Sequence, residues 1–248
     1  MERRIEEALG RYRRRTGHML TKPTAVMFDM DGILFDSMPG HCVAWKQVCD
    51  ENGIEAAKDE FYAYEGRTGA STIDTLIRRQ FGRPATEEEI HRLYERKCEI
   101  FKSMGEPPVI VGAPSTTTAA LEGGAKCVLV TGSGQRSNLD RLDRMYPGAF
   151  PPQQRVTAFD VKKGKPDPEP YLMGLAKANA QPWQAIGIDN APLGVESASR
   201  SGAFTIGVRT GPLPQGCLLD AGADIEINSM EECAEIVSRL LLLKTADS

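Results

Sequence analysis

Long apolar runs, paired cysteines and histidine clusters are all missing from this 248-residue chain. No stretch reaches the ~18 to 20 consecutive apolar residues that a membrane-spanning helix needs. The N-terminal MERRIEEALGRYRRRTGHML also lacks the continuous apolar core of a signal peptide. A cytoplasmic protein without a membrane partner is therefore expected. Its six cysteines, Cys42, Cys49, Cys98, Cys127, Cys217 and Cys233, contain no CxxC pair. A chain of this size needs no disulfide staples, so reduced thiols are expected. Only three histidines occur, His18, His41 and His91, and none stands at zinc-finger spacing from a cysteine. The net charge of −4 lacks the basic excess that nucleic-acid binding favours. Repeats and low-complexity segments are absent too.

What is present reads as an ordinary globular chain able to bury a sizeable core, 41% hydrophobic and 26% charged. Ile5, Ala8, Leu9 and Tyr12 fall at helical spacing, predicting an amphipathic helix within an N-terminal extension over 1–22. Arg11, Arg13, Arg14 and Arg15 are expected on its solvated far face. From Thr24 onward, short apolar runs alternate with helical stretches. Strands are predicted at Ala25 to Phe28, Cys127 to Val130, Val156 to Phe159, Ala185 to Ile188 and Phe204 to Val208. Between residues 39 and 106 only helices are predicted, over 41–54, over 71–81 and from a capping box at Thr86 and Glu89 onward. The last carries Ile90, Leu93, Tyr94, Cys98 and Phe101 on one face. The expected fold is α/β, a doubly wound parallel, Rossmann-like sheet built from 23–38 and 107–248, with an all-helical lobe at 39–106 inserted after the first strand.

In such sheets the site lies in the loops at the carboxyl ends of the strands. Every polar cluster of note follows a predicted strand, so folding is expected to gather Asp29, Asp31, Thr131, Lys165 and Asp189 into one pocket. Asp29-Met30-Asp31-Gly32 places two carboxylates one residue apart, able to hold a Mg²⁺ while one attacks phosphorus and the other moves a proton. An EF-hand loop would carry its glycine two positions later. Thr131-Gly132-Ser133-Gly134 offers a hydroxyl and exposed N–H groups for phosphate oxygens. A dinucleotide fingerprint begun by Gly132 and Gly134 would want glycine where Ser137 stands. Lys165, ahead of the prolines of KPDPEP, sits in a stiff turn that suits a fixed positive charge. Asp189-Asn190 suits a metal site or, alternatively, a helix N-cap.

Taken in this order, the four clusters resemble the haloacid dehalogenase superfamily over nearly the whole chain from residue 24, led by AVMFDMDGILFDS. The resemblance implies Asp29 as nucleophile, Asp31 as general acid/base, Thr131 as the second-motif hydroxyl and Lys165 as the third-motif lysine. Mg²⁺ is the implied cofactor, held by Asp29, Asp31, Asp189 and Asn190. Gly132 and Ser133 are implied in phosphate binding, and the segment 39–106 as a small cap. Within the superfamily the chain is similar to the β-phosphoglucomutase-like group. His41 and Trp45 of DSMPGHCVAWK match the start of that group's cap, and Lys97 of ERKCEIF matches a cap lysine that pairs with the histidine. Two positions depart from the pattern. Asn190 stands where an acidic ligand is usual, and Gly69 stands where the mutase has an arginine gripping the substrate's far phosphate. Arg67 lies close enough in sequence to substitute.

The resemblance thus implies a phosphatase of a small phosphorylated metabolite such as a sugar phosphate, with a sugar-phosphate mutase as the alternative. A dehalogenase or a phosphonatase has no use for Asp31, and a non-catalytic binding role is hard to reconcile with four intact motifs. Oligomeric state leaves no trace in the sequence.

Overall fold

The computed structural model describes residues 1–134 and 136–244. Six strands form one parallel sheet: β1 (Ala25–Phe28), β2 (Lys126–Val130), β3 (Arg155–Val156), β4 (Ala185–Asp189), β5 (Phe204–Val208) and β6 (Ile225–Ile227). They lie in the order β3-β2-β1-β4-β5-β6. The chain builds outward from β1 on one side, then returns to the other side for β4, so the switch point falls between β1 and β4. Register pairs Phe28 with both Leu129 and Ile188, which brings Asp29 alongside Asp189 at the same end of the sheet.

Helices cover both faces of the sheet, which is why its strands read as unbroken apolar runs. On one face Val26 and Phe28 pack with α1 (Glu2–Thr16), α6 (Ala113–Glu122), α7 (Arg136–Met145) and α11 (Met230–Leu240) through residues such as Tyr12, Ala120, Leu142 and Ile236. On the other, Ala25 and Met27 meet α8 (Glu169–Ala178) and α9 (Pro192–Arg200) through Tyr171, Leu175 and Ala198. A short α10 (Cys217–Asp220) packs Leu218 against Val195 and Ala223. The segment between β1 and α6 is helical: α2 (Met38–Glu51), α3 (Glu60–Ala63), α4 (Gly69–Phe81) and α5 (Glu87–Ser103). It buries its own cluster, including Trp45, Val48, Phe61, Ile73, Leu76 and Phe101. No helix among the described residues is long and apolar enough to cross a membrane.

Several expectations need correction. The strand expected to run to Phe159 ends at Val156, because the Asp160 carboxylate accepts from both the N–H (2.8 Å) and the hydroxyl (2.7 Å) of Thr157 and turns the chain. Phe159 is left 82% exposed. The three-residue β6 went unpredicted, being too short for a periodic signal. The arginine face of α1 is only partly solvated. Arg15 donates to the carboxylate of Asp224 (2.6 Å) and to two backbone carbonyls, and Arg11 donates to the Asp224 carbonyl at 2.7 Å. These bonds fasten α1 to the edge of the sheet. The Thr86–Glu89 capping box is present, but the buried stripe of α5 is Leu93, Lys97, Ile100 and Phe101. A lysine therefore sits in the apolar seam.

Candidate active site

Asp29 immediately follows β1, and its N–H is anchored to the Ile188 carbonyl at 3.0 Å. Its carboxylate is 3% exposed and accepts a hydrogen bond from the Lys165 ammonium at 2.7 Å. The same ammonium donates to Asp189 Oδ2 at 2.7 Å. Lys165 thus binds two carboxylates from neighbouring strands, in a site walled off from water. Burial works against its charge, but the two carboxylates outweigh this and hold its pKa above the ordinary lysine value. For Asp29 the balance tips the other way. Burial, helped by the nearby Asp189 and Asp31 charges, outweighs Lys165 and raises its pKa to about 7.

Asp189 is held by three donors. Oδ2 accepts from Lys165 and from the Tyr171 hydroxyl at 2.8 Å, while Oδ1 accepts from the Ala191 N–H at 3.0 Å. Gly194 passes so close that any side chain there would overlap this carboxylate. Asn190 is different. Its Nδ2 donates to Glu65 Oε1 at 2.7 Å, whereas its Oδ1 is buried without a partner. Gly32, at φ 76°, makes room for this amide. Buried polar atoms are nearly always paired, so a bare carbonyl oxygen at this end of the sheet is a fitting ligand for a hard cation. Among the described residues no three His, Cys, Asp or Glu side chains converge as a ready-made metal site. The cation-binding potential here is one of carboxylate plus amide oxygen.

Asp31 accepts from the Ser37 hydroxyl at 2.5 Å and lies 3.2 Å from His41 Nε2. Burial pushes its pKa up, but His41, Ser37 and Lys97 together pull it down to about 2. His41 stacks on Phe101 at 4.0 Å between ring centroids, and its Nδ1 lies 2.7 Å from the Lys97 ammonium. Lys97 also sits over the rings of Trp45 (5.5 Å) and Phe101 (5.1 Å). Its burial lowers its pKa to about 8.

Between the sheet end and the helical segment lies a cavity of about 70 Å³. Asp29, Asp31, Gly132 and Ser133 form its core side. His41, Trp45, Glu65, Arg67 and Lys97 face them from the helical segment. Thr131 is buried, and its hydroxyl accepts from the Ser133 N–H at 3.0 Å, which shapes the turn that presents Gly132. Arg67 donates to Thr75 at 2.8 Å and lies over the Tyr64 ring, with its Nε unpaired. Where the mutase pattern has arginine, Gly69 leaves no room for a side chain, because Tyr94 fills that volume.

All twelve residues singled out from the sequence are therefore gathered around this cavity or directly behind it. Glu65 and Tyr171 were missed. Glu65 lies in the Tyr-Glu-Gly connection between α3 and α4, where one acidic residue carries no spacing signal. Burial, with Asp29, Asp189 and Asp31 nearby, raises its pKa well above the usual range despite the Asn190 hydrogen bond.

At Gly132 the two halves come close together. A Cβ there would stand 2.9 Å from the Gly66 carbonyl and 3.0 Å from that of Arg67, both backbone atoms that yield little. Gly132→Ala is expected to push the α3–α4 loop off the core. KM for a phosphorylated substrate should rise about tenfold while the melting temperature moves by only a few degrees; steady-state kinetics beside thermal unfolding checks this.

Comparison with known proteins follows this geometry. Residues 26–208 match the profile of the haloacid dehalogenase-like hydrolases. A phosphorylated carbohydrates phosphatase from Thermotoga maritima is 29% identical over 219 residues, 88% of this chain and 99% of its own. Hexitol phosphatase A from Escherichia coli is 30% identical over 73% of this chain and 81% of its own. A solved structure from Bacteroides vulgatus, provisionally called a beta-phosphoglucomutase, superposes with a TM-score of 0.92 at 42% identity, covering 98% of this chain and 100% of that one. With its sheet, its strand-end motifs and a profile match across most of its length, the chain belongs to the haloacid dehalogenase-like hydrolase family.

Proposed function

We propose that this enzyme is a Mg²⁺-dependent phosphatase of a small phosphorylated carbohydrate, working through an aspartyl-phosphate on Asp29. The observation that carries the reading is the buried Asp29 carboxylate, held 2.7 Å from Lys165 and lining a polar cavity. Asp29 attacks phosphorus, the bond to the sugar oxygen breaks, and Asp31 protonates that oxygen as it leaves. Asp31 then takes a proton from water as the water attacks the phosphorylated Asp29, releasing phosphate and restoring the carboxylate. Lys165 balances charge on the nucleophile, while Gly132 and Ser133 offer N–H and hydroxyl groups to the phosphoryl oxygens. Thr131 holds that turn in shape. Bound Mg²⁺ would neutralise the repulsion between carboxylate and phosphate. Asp29 and the bare Asn190 Oδ1 would hold it, whereas Asp31 gives its Oδ1 to Ser37 and His41 and Asp189 gives its oxygens to Lys165, Tyr171 and backbone.

The segment 39–106 is read as a cap. A space of about 70 Å³ compares with the ~300 to 1,000 Å³ of typical ligand sites, so sugar phosphates enter only with the cap raised. His41, held 3.2 Å from Asp31, is drawn off it as the cap lifts. Trp45, Arg67 and Lys97 line the side where the leaving group would lie.

A phosphate-release screen over sugar phosphates, nucleotides and pyrophosphate tests the proposal. Release from at least one sugar phosphate is expected, abolished by chelation and restored by Mg²⁺. No release from any sugar phosphate would sink it. The His41–Lys97 pair against Asp31 keeps a sugar-phosphate mutase as the second reading. The occupied volume at Gly69 weighs against it, since no long cation can reach the far phosphate from there. Conversion of β-glucose 1-phosphate to the 6-phosphate, faster than phosphate release, would favour the mutase.

A further inference from the structure

We propose that Glu65 is a metal ligand carried by the cap, so that the divalent cation bound by Asp29 and Asn190 also draws the α3–α4 loop down onto the core. The inference rests on the reading of this centre as a Mg²⁺-dependent phosphoryl-transfer site and adds to it a residue outside the four motifs.

Charge balance is the first argument. Three carboxylates, Asp29, Asp189 and Glu65, are buried together beside the part-buried Asp31. Lys165 is shared by Asp29 and Asp189, and Asp31 meets His41. Among the described residues no lysine, arginine or histidine forms an ion pair with Glu65. A buried carboxylate without a counter-charge is costly, and a hard divalent cation is the partner that removes the cost.

The second argument is independent. Asn190 is 1% exposed, and its amide is half used: Nδ2 is spent on Glu65 at 2.7 Å, while Oδ1 has no partner. One amide thus ties the Glu65 carboxylate to a bare oxygen donor, so the two candidate ligands arrive side by side. The backbone around Glu65 is already seated to allow this. Gly66, at φ 87°, runs close enough that a Cβ there would stand 3.1 Å from the Lys165 side chain. Its carbonyl presses on Gly132. Glu65 therefore joins a loop from one lobe to the cation of the other. Cation affinity and cap closure become two readings of one equilibrium.

The test uses the full chain freed of metal by chelation and titrated with Mn²⁺, followed by calorimetry and electron paramagnetic resonance, with small-angle X-ray scattering for compaction. Glu65→Gln keeps an acceptor for Asn190 and removes only the charge. Wild type should bind Mn²⁺ and become more compact. E65Q should bind about tenfold more weakly or worse and show no cation-dependent compaction, at a metal-free melting temperature no lower than that of the wild type. Glu65→Ala should show the same loss and keeps the test decisive if E65Q folds poorly. Wild-type affinity and compaction in both variants would overturn the role of Glu65 while leaving the phosphatase reading intact. A wild-type protein that binds no Mn²⁺ would sink both.

Discussion

Asp29→Asn is expected to lower phosphate release by about 10⁴-fold or more, the scale on which removal of a nucleophile is felt when the rest of a site survives. The amide retains shape and burial but cannot form the acyl phosphate, and the remaining groups still bind and polarise the ester. The same substitution should stabilise the metal-free protein at alkaline pH. The native Asp29 pKa is raised from 3.8 to about 7, so between those values the folded state binds more protons than the unfolded one. Stability contributed by this group is present below pH 3.8 and is lost progressively as pH rises through 7. Thermal unfolding in chelator should therefore show the wild type losing stability from pH 5 to pH 8 and Asp29→Asn losing less. A nucleophile held at a cost to the fold is a common trade at active sites.

Lys165→Met is expected to be damaging in two separate ways. With the ammonium gone, the Asp29 and Asp189 carboxylates face each other in a site sealed from water. Breaking one side of a buried ion pair costs about 3–5 kcal/mol, so denaturant unfolding at neutral pH should show a loss of that order. Phosphate release should fall about 10³-fold even under conditions where the variant is folded, because the charge that balances the attack is missing. Arginine is not a remedy. The lysine stem is packed against Gly66, and Tyr171 lies under its ammonium at 5.3 Å, which leaves no room for a planar guanidinium. Lys165→Arg is expected to resemble the methionine variant in activity. Restoration of most of the wild-type rate by arginine would refute this packing argument.

The central strands were legible because burial on both faces writes itself as continuous apolar residues; Ala25–Phe28 and Phe204–Val208 have the expected bounds. Convergence of the polar clusters followed from one rule, that strand-end loops of a parallel sheet meet at the switch point. Features decided by single side chains were not legible. The end of β3 depends on Asp160 capping Thr157, and the fastening of α1 depends on Asp224, far away in sequence. Lys97 interrupts an apolar stripe, so periodicity rotated the helix face toward Cys98 instead. Glu65 becomes visible only when the loop it rides on is laid against Asn190. The volume at Gly69 likewise needed the Tyr94 ring to be placed before its meaning emerged.

Acid-quenched single turnover with a phosphorylated sugar, followed by peptide mass spectrometry, tests covalent catalysis by Asp29 most directly. A phosphoryl group on the peptide containing Asp29, forming and decaying with the rate of turnover and absent in Asp29→Asn, is the predicted result. Full turnover with no such adduct at any time, and inversion at a chiral phosphorus, would contradict the account.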